Sequence, residues 1–409
     1  MRPRSPSQHS RQIKDATTPP PLSAESQVVF RTADLSCLPA EVASHARNVQ
    51  DWDRVIVMSD RELASVQLAR ALRGAQADVP AAVVEELRRK AVTIELRMQY
   101  LSRRLQQTCG ILAERGISHV LLKGAAVGAL VDPTLCTRPM NDGDILVRPE
   151  DAERAAEALE AAGWFATPDE VLRGLLAGAH HLPPFLDTQM PGLRVELHVS
   201  HLPFDHPFVF DTAMLWREAR PAPPPFSGTL VPSAEHLVLH AAIHFTWQHP
   251  MSFGAWRTFR VVSIMSRRPD FDWARLARLA QQTKGTTACY WTLRLGQRMA
   301  GIAVPPTVVR DLAPPTPAWL LDALERHFVA MIAVGEMPAS PSLWVNRRLW
   351  FLAIRPRWSG HATTRDWDPG NRWGRAYGVV SSESAWSKYV RHVAGYRRWT
   401  AFLARTFIR

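Results

Sequence analysis

The chain has 409 residues, 46% hydrophobic and 21% charged, which suits a globular protein with a large core and two or three domains. No uncharged apolar run is long enough to span a membrane, and four scattered cysteines (Cys37, Cys109, Cys136, Cys289) with no C-x-x-C pair argue for a reducing cytoplasm over a disulfide framework. The net charge of +11 is concentrated: residues 341–409 hold 13 Lys+Arg against 3 Asp+Glu, a balance of +10, together with 7 of the 15 Trp. Basic and aromatic residues together are what a site for RNA or another polyanion uses. The plainer reading is a helical tail with its Trp turned inward and its arginines reaching outward.

In chain order, residues 1–30 are rich in Pro, Ser, Thr and Gln with no apolar block, and read as a disordered tail and not as a signal peptide. Residues 31–116 read as helices. The stripe Val83-Val84, Leu87, Ile94, Leu96, Tyr100-Leu101, Leu105, Ile111-Leu112 keeps a helical period, and Gly116 stops it. His119 to Leu122 reads as a short buried strand, followed by a glycine turn at Gly124 and a helix to Val131. A strand over Asp144 to Val147 comes next, then a helix from Glu150 to Ala162 that begins at Pro149 and ends at Gly163. Leu193 to Val199 alternates cleanly, with Arg194, Glu196 and His198 on one face and Val195, Leu197 and Val199 on the other. Beyond Pro221-Ala222-Pro223-Pro224-Pro225 the pattern is helical again: Ser233 to Gln248, Ala255 to Ser266, Asp272 as N-cap of a helix to Lys284, and Thr287 to Ala300. The division is therefore a tail (1–30), a helical region (31–116), a small α/β core (117–220) and a helical region with the basic tail (221–409).

The chemistry gathers in the core. Leu121-Leu122-Lys123-Gly124 is followed, eighteen residues after Gly124, by Asp142-Gly143-Asp144-Ile145-Leu146-Val147. Alternation puts Asp142 and Asp144 on one face of a strand, where two carboxylates repel unless a cation sits between them. A divalent metal is the natural candidate, and a nearby glycine gives a phosphate room to approach. Lysine is scarce, five in all against 44 arginines, so Lys123 beside that glycine is informative. Taken alone, Asn141-Asp142-Gly143 is equally a turn signal, and Val195-Glu196-Leu197-His198 is equally an ordinary half-buried strand.

The ordered set of motifs resembles the polymerase-β-like nucleotidyltransferase superfamily, and within it a family of uncharacterised bacterial nucleotidyltransferases. The residues that carry the resemblance are Gly116-Ile117, His119 to Ala126, Arg138, Asp142 and Asp144 to Val147, Ala158-Leu159, Gly163-Trp164, Val195 to His198, and His236-Leu237, His240 to Ala242 and His244. The resemblance covers roughly residues 50–310 and implies an α+β fold: a small mixed-sheet core flanked by N-terminal helices and a C-terminal helical domain. It further implies Mg²⁺-dependent transfer of an NMP from an NTP, ATP foremost, to a hydroxyl or phosphate acceptor. Asp142, Asp144 and Glu196 would be the metal-binding and catalytic carboxylates, and Lys123, Gly124, Ala125 and Arg138 the nucleotide-binding residues. The acceptor is open among a small molecule, a peptide and a protein.

Two positions depart from the superfamily pattern. Ala125 stands where Ser or Gly often follows the motif glycine, and Gly143 stands between the aspartates in place of a bulky aliphatic residue. They leave open a second reading, a catalytically reduced nucleotidyltransferase-fold protein that binds RNA or another polyanion through residues 341–409. Nine of the 15 histidines lie between His180 and His249, and His236, His240 and His244 recur at i, i+4 and i+8. That spacing would suit Zn²⁺ on one helix face, or a helix edge lying over the cleft.

Overall fold

Residues 22–166, 180–203, 206–251, 253–334, 349–350 and 352–354 are described by the structure, a computed structural model. The first helices are α1 (Ala24–Phe30), α2 (Pro39–Ala46), α3 (Trp52–Glu62), α4 (Ser65–Gly74) and the 34-residue α5 (Ala81–Glu114). Helix α1 lies inside the stretch 1–30 expected to be a disordered tail, and residues 1–21 lie outside the described residues. Ser23 caps α1 by accepting from Ser26 N–H, and Val28, Val29 and Phe30 are fully buried. Three apolar residues suffice there because their partners are remote in sequence: the Phe30 ring sits 6.3 Å from that of Phe259.

Helix α5 ends as its sequence requires. Gly116 takes φ +68°, its N–H bonds to the Ala113 carbonyl, and Ile117 N–H bonds to that of Leu112, so the last carbonyls are satisfied by a glycine-based C-cap. The chain then enters β1 (His119–Leu121), α6 (Lys123–Val131), β2 (Asp142–Val147), α7 (Ala152–Ala161), β3 (Trp164–Ala166), β4 (Phe185–Asp187), β5 (Arg194–His198), α8 (Thr212–Glu218), β6 (Arg220–Pro221) and β7 (Leu230–Val231). The mixed sheet runs β3-β4-β5-β2-β1-β7-β6. At its centre β2 pairs antiparallel with β1 and parallel with β5. The edge strands are two or three residues long, too short to show alternation in the sequence.

The helical remainder is α9 (Ala234–Ile243), α10 (Ala255–Met265), α11 (Trp273–Gln282), α12 (Thr286–Leu295), α13 (Pro306–Leu312) and α14 (Ala318–Val334). Two of the expected long helices change pitch near their ends: π-helical turns at His244–Gln248 and Gly296–Ala300 follow α9 and α12. Asp272 caps α11 as expected, accepting from Ala274 N–H. One buried apolar cluster runs from Val28 to Ile354, so the helices before and after the sheet in the chain share a core, while Val120, Leu122, Leu146 and Leu215 of α8 form a second, smaller cluster. Trp350 belongs to the first, fully buried, with Nε1 donating to the Thr246 carbonyl at 2.6 Å and its ring 5.1 Å from that of Trp247. The rest of the basic Trp-rich segment beyond Ile354 lies outside the described residues. Among the described residues, no helix is long and apolar enough to cross a membrane.

A polar clamp fixes the sheet edge to α5. Asp187, with no exposed side-chain surface, accepts from Arg104 Nε at 2.5 Å and from the backbone N–H of Gln189 and Met190 at 2.7 and 3.0 Å. Arg104 also donates to the Ala162 carbonyl and lies 4.8 Å over the Trp164 ring. Burial pushes the Asp187 carboxyl upward, but Arg104 and the two N–H groups outweigh it and hold the group below its ordinary value. A depressed carboxyl contributes stability above its unfolded-state pKa, about 3.9, and loses it as pH falls through the folded value. Asp187→Asn should therefore cost about 3 kcal/mol at neutral pH, and the deficit should shrink steadily below about pH 4 when unfolding is followed in urea.

Candidate active site

The register between β2 and β5 builds the site. Asp142 lies opposite Arg194, Asp144 opposite Glu196 and Leu146 opposite His198, so both expected acidic strands present their polar residues on one face. The other face of β2 is apolar and packs on α5. A Cβ on Gly143 would come within 2.6 Å of Leu105 Cδ2, so α5 occupies the space where the superfamily's aliphatic side chain would stand. The departure at Gly143 is thus a packing exchange with Leu105 and leaves the acidic face intact.

Leu122 N–H bonds to the Asp144 carbonyl at 2.9 Å, which ties the end of β1 to β2 at the acidic residue. The turn that follows is not the glycine turn expected from the sequence. Lys123, not Gly124, takes the left-handed backbone conformation, at φ +45°. A non-glycine residue there carries strain of about 1–3 kcal/mol. That conformation accompanies a short ion pair, Lys123 Nζ to Asp144 Oδ1 at 2.7 Å. Gly124 lies inside the first turn of α6 and is needed for space: a Cβ there would collide with the Arg138 guanidinium and come within 2.9 Å of Met140 Cε. Ala125, fully buried in the same turn, has only its backbone N–H to offer.

Asp144 is the centre of the charge network. Its Oδ1 also accepts from His198 Nε2 at 2.8 Å, and His198 Nε2 lies 3.5 Å from Glu196 Oε2. Burial alone would raise the Asp144 carboxyl, but Lys123 and His198 hold it well below the usual carboxylate range. Glu196 is likewise lowered: burial raises it, and the His198 hydrogen bond and Lys123 outweigh that. For Lys123, burial pulls down while Asp144, Glu196 and Asp142 pull up, and the carboxylates prevail. Asp142 goes the other way, raised by burial and by the charge of Asp144, with its Oδ2 on Arg194 at 2.9 Å.

Among the described residues, the group of three or more His, Cys, Asp or Glu side chains whose ligand atoms approach within 4.8 Å of one another is Asp144, Glu196 and His198. Two of the three carboxylates expected from the sequence therefore meet, Asp142 stands aside on Arg194, and an imidazole joins them. His198 had a sequence signal, since it occupies the polar face of β5 two residues after Glu196.

The His236, His240 and His244 series does not form a metal site of its own. The pitch changes at His244, and His236 Nδ1 is engaged by Ser233 Oγ at 3.0 Å, with Glu218 Oε2 at 3.6 Å. Several histidines instead cluster around His198 and Asp144. The rings of His180 and His181 lie 5.1 and 5.3 Å from that of His198, and His201 lies 5.5 Å from His240. Burial, then the neighbouring Lys123 charge, lowers His240 to about 3; burial, then His198, lowers His180 to about 2. At neutral pH they are uncharged imidazoles around a charged centre.

The family described as uncharacterised nucleotidyltransferase matches residues 48–301, which takes in α5, the whole sheet and the histidine-bearing helix α9. No curated protein and no solved structure matches the chain. The packing exchange at Gly143 can be measured directly. Gly143→Val should cost about 1–3 kcal/mol through overpacking, and Leu105→Ala in the same chain should recover part of it. Additive losses in a double-mutant cycle would contradict the contact.

Proposed function

The chain belongs to the uncharacterised nucleotidyltransferase family, and from that premise we propose that it moves an NMP from an NTP, ATP in the first instance, to a hydroxyl or phosphate on an acceptor with the help of Mg²⁺. The observation that carries this reading is the meeting of Asp144, Glu196 and His198 beside Lys123, at the start of α6. Ligand atoms within 4.8 Å, two of them carboxylate oxygens held ionised, fit a divalent cation. Asp144 and Glu196 would hold it, with Asp142 as the third carboxylate on the same face.

When bound, the metal supplies charge neutralisation at the phosphoryl oxygens and acidifies the attacking hydroxyl. The acceptor oxygen bonds to the α-phosphorus, the bond to the β-phosphate oxygen breaks, and pyrophosphate leaves. Glu196, ionised beside His198, takes the proton released by the hydroxyl. The missing side chain at Gly124 gives the Arg138 guanidinium its place against the first turn of α6, where it and Lys123 would supply positive charge to the phosphates. The acceptor is a small molecule, a peptide or a protein.

The reading is tested by incubating the full chain with Mg²⁺, each α-labelled NTP and fractionated cell extract. Label should pass from one NTP to an extract component, and Asp144→Asn or Glu196→Gln should lower the rate at least roughly 100-fold, equivalent to several kcal/mol of lost charge stabilisation. An absence of NTP binding, with Asp142→Asn and Asp144→Asn changing nothing in transfer or in cells, sinks the enzyme reading.

A further inference from the structure

Lys123, Arg194 and Arg138 stand around the acidic face, a fourth cation, Arg257, acts on Arg138, and two of the four are already committed. Lys123 is paired with Asp144 at 2.7 Å, and Arg194 with Asp142 at 2.9 Å. Arg138 and Arg257 have no carboxylate within ion-pair distance among the described residues, and each keeps a buried Nε without a hydrogen-bond partner. An unpaired guanidinium nitrogen out of water costs free energy that a bound anion would restore.

The Arg138 guanidinium lies against Gly124 in the first turn of α6, one residue beyond Lys123. Arg257 is in the first turn of α10, with its Nη2 folded back toward Gly254. Helix α9 packs on both α6 and α10, and the Arg257 charge reaches Arg138. Burial, and after it the charge of Arg257, lowers Arg138 to about 10, while Asp144 and Asp142 only partly offset this. His244, on the continuation of α9, is held neutral by burial and by neighbouring positive charges, Arg257 among them, so it adds no further positive charge.

We propose that Arg138 and Arg257 form a polyphosphate cradle that grips the triphosphate tail of the nucleotide from opposite sides, one arginine from the sheet core and one from the helical region. Planar guanidinium groups suit phosphate oxygens through paired N–H donors. Arg257 carries no motif and lies outside every residue expected from the sequence to touch the nucleotide. The cradle rests on the nucleotidyltransferase reading for the identity of its anion, not for its preference for linked phosphates.

Isothermal titration of the full chain in EDTA with tripolyphosphate, inorganic phosphate, ATP, ADP and AMP tests the cradle without requiring turnover. Affinity should rise from AMP to ATP. Arg257→Gln and Arg138→Gln should each weaken ATP and tripolyphosphate about 10- to 100-fold while leaving AMP nearly unchanged. Arg257→Lys should lose less, and it carries the test together with Arg138→Gln if Arg257→Gln does not fold. Unaltered tripolyphosphate and ATP binding in folded Arg257 variants overturns the cradle, and so does equal weakening of AMP or inorganic phosphate, which would place a single phosphate there. Wild-type protein that binds tripolyphosphate through both arginines yet transfers no NMP keeps the cradle and removes the enzymatic reading.

Discussion

The parallel pairing of β2 with β5 is the constraint on which the site depends. Side chains alternate strictly along a strand, so a slip of one residue would send Glu196 and His198 to the apolar face and Val195 and Leu197 to the acidic one. The buried pattern prevents that slip, because Ile145, Val147, Val195 and Leu197 all belong to the core shared with the helices. Hydrophobic burial thus fixes where the charges stand, and the charges need not stabilise the fold to be held in place.

The central fold was legible in the sequence because its signals are local and redundant. The alternation of β5, the glycine stop of α5 and the Asp272 cap each follow from a few adjacent residues. Asp144, Glu196 and Lys123, all singled out in the sequence, come together in space, whereas the partition between Asp142 and His198 was not legible. Both residues lie on the correct face, and only the side-chain hydrogen bonds decide that His198 turns toward Asp144 while Asp142 turns toward Arg194. The role of Gly124 was misread for a similar reason. Sequence reading assigns glycine to the strained backbone position, but here Lys123 takes the strain and Gly124 makes room for an arginine fourteen residues ahead. The two- and three-residue edge strands and the change of pitch after α9 leave no periodic trace at all.

The surroundings of the site follow an electrostatic division. Ionised carboxylates, Lys123 and the arginines occupy the centre, and His180, His201, His240 and His244 form a wall of imidazoles that burial keeps neutral. Such a wall offers polar atoms without adding charge, which preserves the strength of the central interactions in a weakly screening environment. The large histidine content of residues 180–249 is better explained by this division than by a separate metal centre, since His236 is turned toward Ser233 and Glu218.

The Lys123–Asp144 contact makes the side chain a tethered stand-in for an external cation. A pocket of bare carboxylates would repel itself open in the resting protein, whereas this one is charge-balanced by an ammonium group that cannot diffuse away. An incoming ion would enter by competition with that tether and not by filling a gap, which lowers its apparent affinity without changing the form of the binding curve.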